Sequence, residues 1–301
     1  MILLPAEVAA QTLNASDINE PVVVFDRVQD VSPEILARAR FYVPEYLGPA
    51  DAFAAMAAMP ALQVCQLPTA GYEHAVEFVP AGVTLCNAAG VHDASTAELL
   101  VGLLLARLRH IDDMARAMSS GTWLTGRFTS LADKHVVIIG FGGVGQAVAA
   151  RLAAFEVTIS PVARRSRVGV HTMADLDRLL PQADAVILTV PLTPDTHHLV
   201  NAEFLQQMKR GAVLVNGARG PVVDTHALLA ALYEGRVQAV LDVTDPEPLP
   251  PNHPLWQAPG VLISPHVGGN SSAFVPRMSA LVAAQVRRWQ EGAALKHVVM
   301  S

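Results

Sequence analysis

The chain has 301 residues, 51% apolar and only 16% charged, enough hydrophobic material for two ordinary domains with buried cores. A formal charge of −6 argues against a surface built to neutralise nucleic-acid phosphates, which needs a basic patch or stripe. The two cysteines, Cys65 and Cys86, lie in apolar runs without metal-ligand or CxxC spacing, so they read as buried reduced thiols and point to the cytoplasm.

The N-terminus lacks a basic region and is interrupted by Pro5 and Glu7, so it reads as a first strand or loop rather than a signal peptide. Short apolar runs at 22–25, 41–43, 62–67 and 83–86 then alternate with helical stretches such as 33–38 and 51–59. Such alternation predicts parallel strands joined by crossover helices. Ser95-Thr96-Ala97-Glu98 has capping-box spacing and predicts a helix running to about Met118, apolar nearly all round through Leu105 and therefore buried between domains. The apolar run 99–108 contains Arg107 and is too short to span a bilayer, so no membrane is expected as a partner.

From Lys134 the alternation restarts with stronger strands at 135–139, 157–162, 185–190, 212–215, 238–241 and 261–263, which match a doubly wound sheet. Pro161 predicts that the second of these is irregular or ends early. After His266, Met278, Leu281, Val282, Val286 and Trp289 fall at helical spacing, and this last helix is predicted to return to the first domain. The expected domains are 1–94 with 272–301, and 95–271 inserted between them, with a cleft where they meet.

Gly140-Phe141-Gly142-Gly143-Val144-Gly145 is a GxGxxG pattern between a strand-like run and a helix-like one, the context a dinucleotide site requires. Gly140 allows the tight turn and Gly142 lets a pyrophosphate approach the backbone. Gly145 lets helix and strand pack, with Gly143 and Val144 at the anion-binding helix start. A carboxylate ending the second strand would bind a ribose 2′-hydroxyl, but the chain has Ala163 there, followed by Arg164, Arg165 and Arg167. Guanidinium groups suit a 2′-phosphate, so NADP(H) is the preferred cofactor and NAD(H) a possible one; the alternative is a solvated basic loop that tolerates either.

Three later segments put reactive residues at strand ends: Asn216-Gly217-Ala218-Arg219-Gly220, Asp242 to Glu247, and Ser264-Pro265-His266-Val267-Gly268-Gly269. In this order after the glycine turn they closely resemble the D-isomer-specific 2-hydroxyacid dehydrogenase family. Thr69-Ala70-Gly71 and the stretch 87–90 look like its substrate-domain loops, and Pro191 to Thr196 like its cofactor-side loop. Within the family, 242–250 and the arginine-bearing strand end look most like glyoxylate/hydroxypyruvate reductases. The resemblance implies an α/β fold of two doubly wound parallel-sheet domains, a Rossmann cofactor domain inserted in a flavodoxin-like substrate domain.

By the same resemblance, Arg219 would bind the substrate carboxylate and polarise the carbonyl, His266 would be the general acid in reduction, and Glu247 its partner. The residue types suit the chemistry independently, because hydride arriving at a carbonyl carbon leaves negative charge on oxygen that a proton donor and a fixed cation both stabilise. Asp242 would hold the nicotinamide carboxamide, or else serve only as a strand-end turn carboxylate. Asn216, Ala218, Pro191, Thr196 and Gly268 would contact the cofactor, and Ala70 and Gly71 would offer N–H groups to the substrate carboxylate. The family commonly dimerises, and Trp123 lies in a segment resembling that interface; a tryptophan buried within one subunit is the alternative. Two competing functions remain: a formate-type dehydrogenase, against which Glu247 counts because that branch has glutamine there, and a cofactor-sensing protein like the C-terminal-binding-protein corepressors.

Overall fold

Residues 1–15, 18–49 and 51–301 are described in a computed structural model of the chain, and their strands form two six-stranded sheets. In chain order the strands are β1 (Ile2–Pro5), β2 (Val22–Phe25), β3 (Phe41–Tyr42), β4 (Val64–Gln66), β5 (Thr84–Cys86), β6 (His135–Ile139), β7 (Thr158–Val162), β8 (Ala185–Leu188), β9 (Ala212–Asn216), β10 (Val237–Leu241), β11 (Val261–Ile263) and β12 (Val298–Met300). The chain divides into two units, Met1–His92 with Ser271–Ser301, and Asp93–Asn270. Among the described residues no helix is long and apolar enough to cross a membrane.

The sheet of the first unit runs β12-β5-β4-β3-β1-β2, parallel except for β12, which pairs antiparallel with β5. Leaving out that edge strand, the order is the flavodoxin-like 2-1-3-4-5. Side chains alternate between its faces: Ile2 and Leu4 enter one core, Leu3 the other, and all three are fully buried. The Phe274–Gln290 helix lays Met278, Val282 and Val286 on the first of these cores, so the end of the chain completes the unit that its beginning started.

The second unit has the order β11-β10-β9-β8-β6-β7, all parallel. Beyond β7 a single parallel bridge joins Val162 to His171. It stands where the third strand of a 3-2-1-4-5-6 Rossmann sheet would pair, so that strand is reduced to one bridge. Both faces are covered, with Val137 and Ile139 in one core and Val136 and Ile138 in the other, which is why these strands read as unbroken apolar runs. The strand order reverses between β6 and β8, and the crevice at their C-terminal ends is where such sheets bind ligands.

Several local expectations need correction. The helix expected from Ser95 to about Met118 begins at Asp93, ends at Leu108 and is followed by a second helix, Ile111–Met118. Ser95 therefore lies inside the first turn and is not its cap. The break falls at His110, which is left-handed (φ 54°). Turning there lets Arg107, only 5% exposed, pair with Asp112 at 2.7 Å and Asp113 at 2.9 Å, which keeps a buried guanidinium from being uncompensated.

Pro161 does not interrupt β7, which pairs with β6 along its whole length. The Pro161 carbonyl accepts from the His171 N–H at 2.8 Å on the outer side, so the missing N–H lies on the side that β6 does not use. The stretch 51–59 forms a short helix, Asp51–Ala54, and a 3-10 turn, Ala55–Ala58, rather than one helix.

Candidate active site

At the C-terminal end of β6 the chain turns sharply through Gly140, whose φ of +100° is closed to most side chains. A Cβ there would lie 2.6 Å from the Thr189 carbonyl carbon, and one on Gly145 would overlap the Gly140 carbonyl oxygen. Gly142 meets no described atom in its Cβ direction, so the backbone is open on that side. Thr189, just beyond β8, donates from Oγ1 to the Gly140 oxygen at 2.6 Å and fastens the turn to the neighbouring strand at the switch point.

The Gly143–Leu152 helix opens from this turn with no acidic residue in its first turn, leaving a positive dipole end. One carboxylate does come close, because a Cβ on Gly143 would overlap Asp93 Oδ2. Asp93 was not foreseen from sequence, and only packing of the Asp93–Leu108 helix beside the cofactor-type helix brings it there. The open side at Gly142, the close packing of Gly145 on Gly140 and the dipole fit a dinucleotide pyrophosphate.

Beyond β7, Ala163 donates its N–H to the His171 carbonyl, and Arg164 and Arg165 project as exposed cations with no described partner. Arg167 behaves differently. Its Nη2 donates to the Phe141 carbonyl at 2.7 Å, and its guanidinium sits 5.4 Å from the Phe141 ring centroid. The sequence marked Arg167 only as a third arginine; its attachment to the glycine turn depends on folding across 26 residues. On the far side of the switch point, Thr196 Oγ1 donates to the Pro191 carbonyl at 2.7 Å and closes the 191–196 loop on itself.

Asn216 ends β9 and is almost wholly buried. Its Oδ1 accepts from the Ala218 N–H at 3.1 Å and its Nδ2 donates to the Arg219 carbonyl at 3.0 Å, so its side chain holds the turn that presents Arg219. Ala218 is also buried, and Arg219 donates from Nη1 to the Ala218 carbonyl at 2.8 Å. Gly220 follows because a Cβ there would overlap the Thr244 carbonyl oxygen.

Asp242, just past β10, is 3% exposed. Oδ1 accepts from Ser264 Oγ at 2.6 Å and from the Val267 N–H at 3.0 Å; Oδ2 accepts from the Gly268 N–H at 3.0 Å. The carboxylate thus shapes the 264–268 loop, and one of its roughly four lone-pair sites is left over. That loop carries His266 in a left-handed conformation (φ 53°), with its N–H donated to the Asp242 carbonyl at 2.8 Å.

His266 Nδ1 lies 2.5 Å from Glu247 Oε1, with both side chains more than a third exposed. The Glu247 hydrogen bond raises His266 above the usual imidazole range, against burial and the nearby Arg219 charge, which lower it. Burial pushes the Glu247 carboxyl up, but the His266 hydrogen bond and charge outweigh this, helped by the Thr244 amide and Arg219, and hold it below its ordinary value. The pair is therefore biased toward imidazolium–carboxylate, with Nε2 as the remaining proton-bearing atom. A fixed cation, a proton donor and its carboxylate thus stand on neighbouring strand ends.

Residues 101–268 match the family model described as the NAD binding domain of D-isomer specific 2-hydroxyacid dehydrogenases. The chain is 39% identical over 245 residues to a glyoxylate reductase from Thermofilum pendens, covering 76% of this chain and 72% of that protein. It is 36% identical over 224 residues to glyoxylate/hydroxypyruvate reductase B from Escherichia fergusonii, covering 70% of this chain and 69% of that protein. Among solved structures, an NADPH-dependent glyoxylate/hydroxypyruvate reductase from Sinorhizobium meliloti, in complex with NADP and sulfate, superposes with a TM-score of 0.82 at 28% identity, covering 99% of this chain and 97% of that one.

Proposed function

The chain belongs to the D-isomer specific 2-hydroxyacid dehydrogenases, NAD(P)-dependent oxidoreductases of 2-hydroxy acids, and on that premise we propose that it reduces glyoxylate or hydroxypyruvate with NADPH. The observation that carries this reading is the His266–Glu247 pair at 2.5 Å, with the Arg219 charge acting on both members. The glycine turn and the Gly143–Leu152 helix start would hold the pyrophosphate, Arg164, Arg165 and Arg167 would surround the 2′-phosphate, and bound NADPH supplies the hydride. Arg219 would grip the substrate carboxylate and polarise the ketone oxygen, and His266 Nε2 would give that oxygen its proton while Glu247 stabilises and orients the imidazolium. Ala70 and Gly71 would add backbone donors to the carboxylate.

Pro191, Thr196, Asn216, Ala218, Asp242 and Gly268 form the remaining proposed cofactor contacts. Half of the Asn216 hydrogen-bonding capacity and three of the roughly four Asp242 lone pairs are spent on loop structure, so both also hold Arg219 and His266 in place. The chain is also proposed to work as a cytoplasmic homodimer. Ile111, Met118, Trp123 and Leu124 support the dimer, since all four are exposed, Trp123 to 90%, on one stretch of chain.

The test is the initial rate of reduced-nicotinamide oxidation, with NADPH and NADH each paired with glyoxylate, hydroxypyruvate and pyruvate. NADPH-preferring turnover of either of the first two is expected. A higher efficiency with NADH would refute the cofactor assignment, and tight NADPH binding without any turnover would favour a cofactor-sensing role.

A further inference from the structure

The loop after β4, residues 67–71, has every backbone carbonyl engaged. Leu67 O accepts from Gln66 Nε2 at 2.9 Å, Pro68 O from His92 Nε2 at 2.8 Å and Thr69 O from the Ala88 N–H at 2.8 Å. Ala70 O accepts from Asn87 Nδ2 at 2.7 Å and Gly71 O from Thr69 Oγ1 at 2.7 Å. By contrast, the N–H groups of Thr69, Ala70 and Gly71 have no acceptor among the described residues. A trans peptide is planar and sets its N–H opposite its C=O, so whatever holds one carbonyl also aims the next residue's N–H the other way. His92 therefore aims the Thr69 N–H, Ala88 the Ala70 N–H, and Asn87 the Gly71 N–H.

We infer that Asn87 and His92 are positioning residues for the substrate carboxylate, each turning a loop N–H outward as an anion donor by holding the carbonyl on the same peptide. This rests on the reading of Ala70 and Gly71 as carboxylate donors and adds the neighbouring Thr69 N–H, the one His92 aims, to that set. Three successive N–H groups are left in this way to meet an anion, as backbone donors do in anion sites. A carbonyl only accepts, so His92 must carry its hydrogen on Nε2. Its ring is kept in place by stacking with Phe274 (5.5 Å, 7°) and Tyr46 (5.5 Å, 21°).

Asn87 is steadied from behind. Its own carbonyl accepts from Gln66 Nε2 at 3.0 Å, and Gln66 Oε1 accepts from the fully buried Gln285 of the C-terminal helix at 2.8 Å. The amide chain Gln285–Gln66–Asn87 thus couples the last helix of the fold to the loop.

Steady-state kinetics with glyoxylate at saturating NADPH, alongside NADPH binding by fluorescence and a thermal melt, test the inference. Asn87→Ala and His92→Phe, the latter keeping the ring stack but losing the donor, should each raise KM for glyoxylate roughly five- to tenfold, the value of one hydrogen bond. The kcat and NADPH affinity should stay within about twofold, and His92→Gln, which keeps a donor, should restore KM. Turnover by the wild type with KM unchanged in Asn87→Ala and His92→Phe would overturn the inference and leave the functional reading standing. A parallel fall in NADPH affinity and kcat, without rescue by His92→Gln, would assign these residues a merely structural role and also overturn it. If His92→Phe fails to fold, Asn87→Ala, at an incompletely buried side chain, decides alone. A wild type idle toward every 2-oxo acid would overturn the functional reading and the inference together.

Discussion

Replacing Glu247 with Gln keeps the size and an acceptor for His266 Nδ1 but removes the charge. At the observed 2.5 Å, two unit charges in a water-like dielectric attract by about 1.7 kcal/mol. Both side chains are more than a third exposed, and salt screening and solvent reduce this to about 1 kcal/mol. His266 should therefore lose its proton more readily in Glu247→Gln, because the charge that holds the imidazolium is gone. Reduction needs His266 protonated. Because Glu247 raises the histidine, its loss makes the proton leave at lower pH, and the alkaline limb of kcat/KM for glyoxylate should move toward acid. Oxidation of the 2-hydroxy acid needs the neutral imidazole, so its acidic limb should move in the same direction. The assay is a pair of pH–rate profiles at saturating cofactor for wild type and Glu247→Gln. An alkaline limb that stays in place, or moves to higher pH, would refute the proton-donor assignment.

Arg219→Lys retains a charge but loses the planar two-point grip, and kcat/KM for the 2-oxo acid should fall roughly a hundredfold with NADPH affinity unchanged, measured by steady-state kinetics and fluorescence titration. Removing the unpartnered cations in Arg164→Ala/Arg165→Ala should lower the NADPH-over-NADH ratio of kcat/KM roughly tenfold or more, while glyoxylate KM holds. Gly145→Ala forces a methyl onto the Gly140 carbonyl, which cannot retreat because Thr189 holds it; a loss of about 1–3 kcal/mol by denaturant titration and weaker NADPH binding are expected. Trp123→Ala should shift sedimentation toward the monomer if the exposed 111–124 stretch is the dimer contact.

Much of the fold could be read locally. A parallel sheet covered on both faces demands apolar runs, so all six strands of the second unit were visible one by one, and the glycine turn was visible from its spacing between a strand-like and a helix-like run, although the Thr189 and Asp93 contacts that also require Gly140 and Gly143 were not. The helix break at His110 was not visible, because the apolar period runs on past it and the reason to turn is an ion pair of Arg107 with residues beyond the break. The continuity of β7 through Pro161 was equally hidden, since a proline is tolerated there only because that strand has β6 on one side and a lone bridge on the other.

The sequence by itself determined most of the strands and the glycine turn, which follow from short-range periodicity and spacing, and its ordered motifs pointed to Arg219, Glu247 and His266 as candidate reactive residues through their family resemblance. What those residues touch was decided only by the tertiary structure. Glu247 reaches His266 across 19 residues, Asp242 shapes the His266 loop across 22 to 26, and Gln285 steadies Gln66 across 219. Hydrogen bonds act over about 3 Å, so such partnerships exist only once strand pairing and helix packing have brought residues distant in the chain side by side.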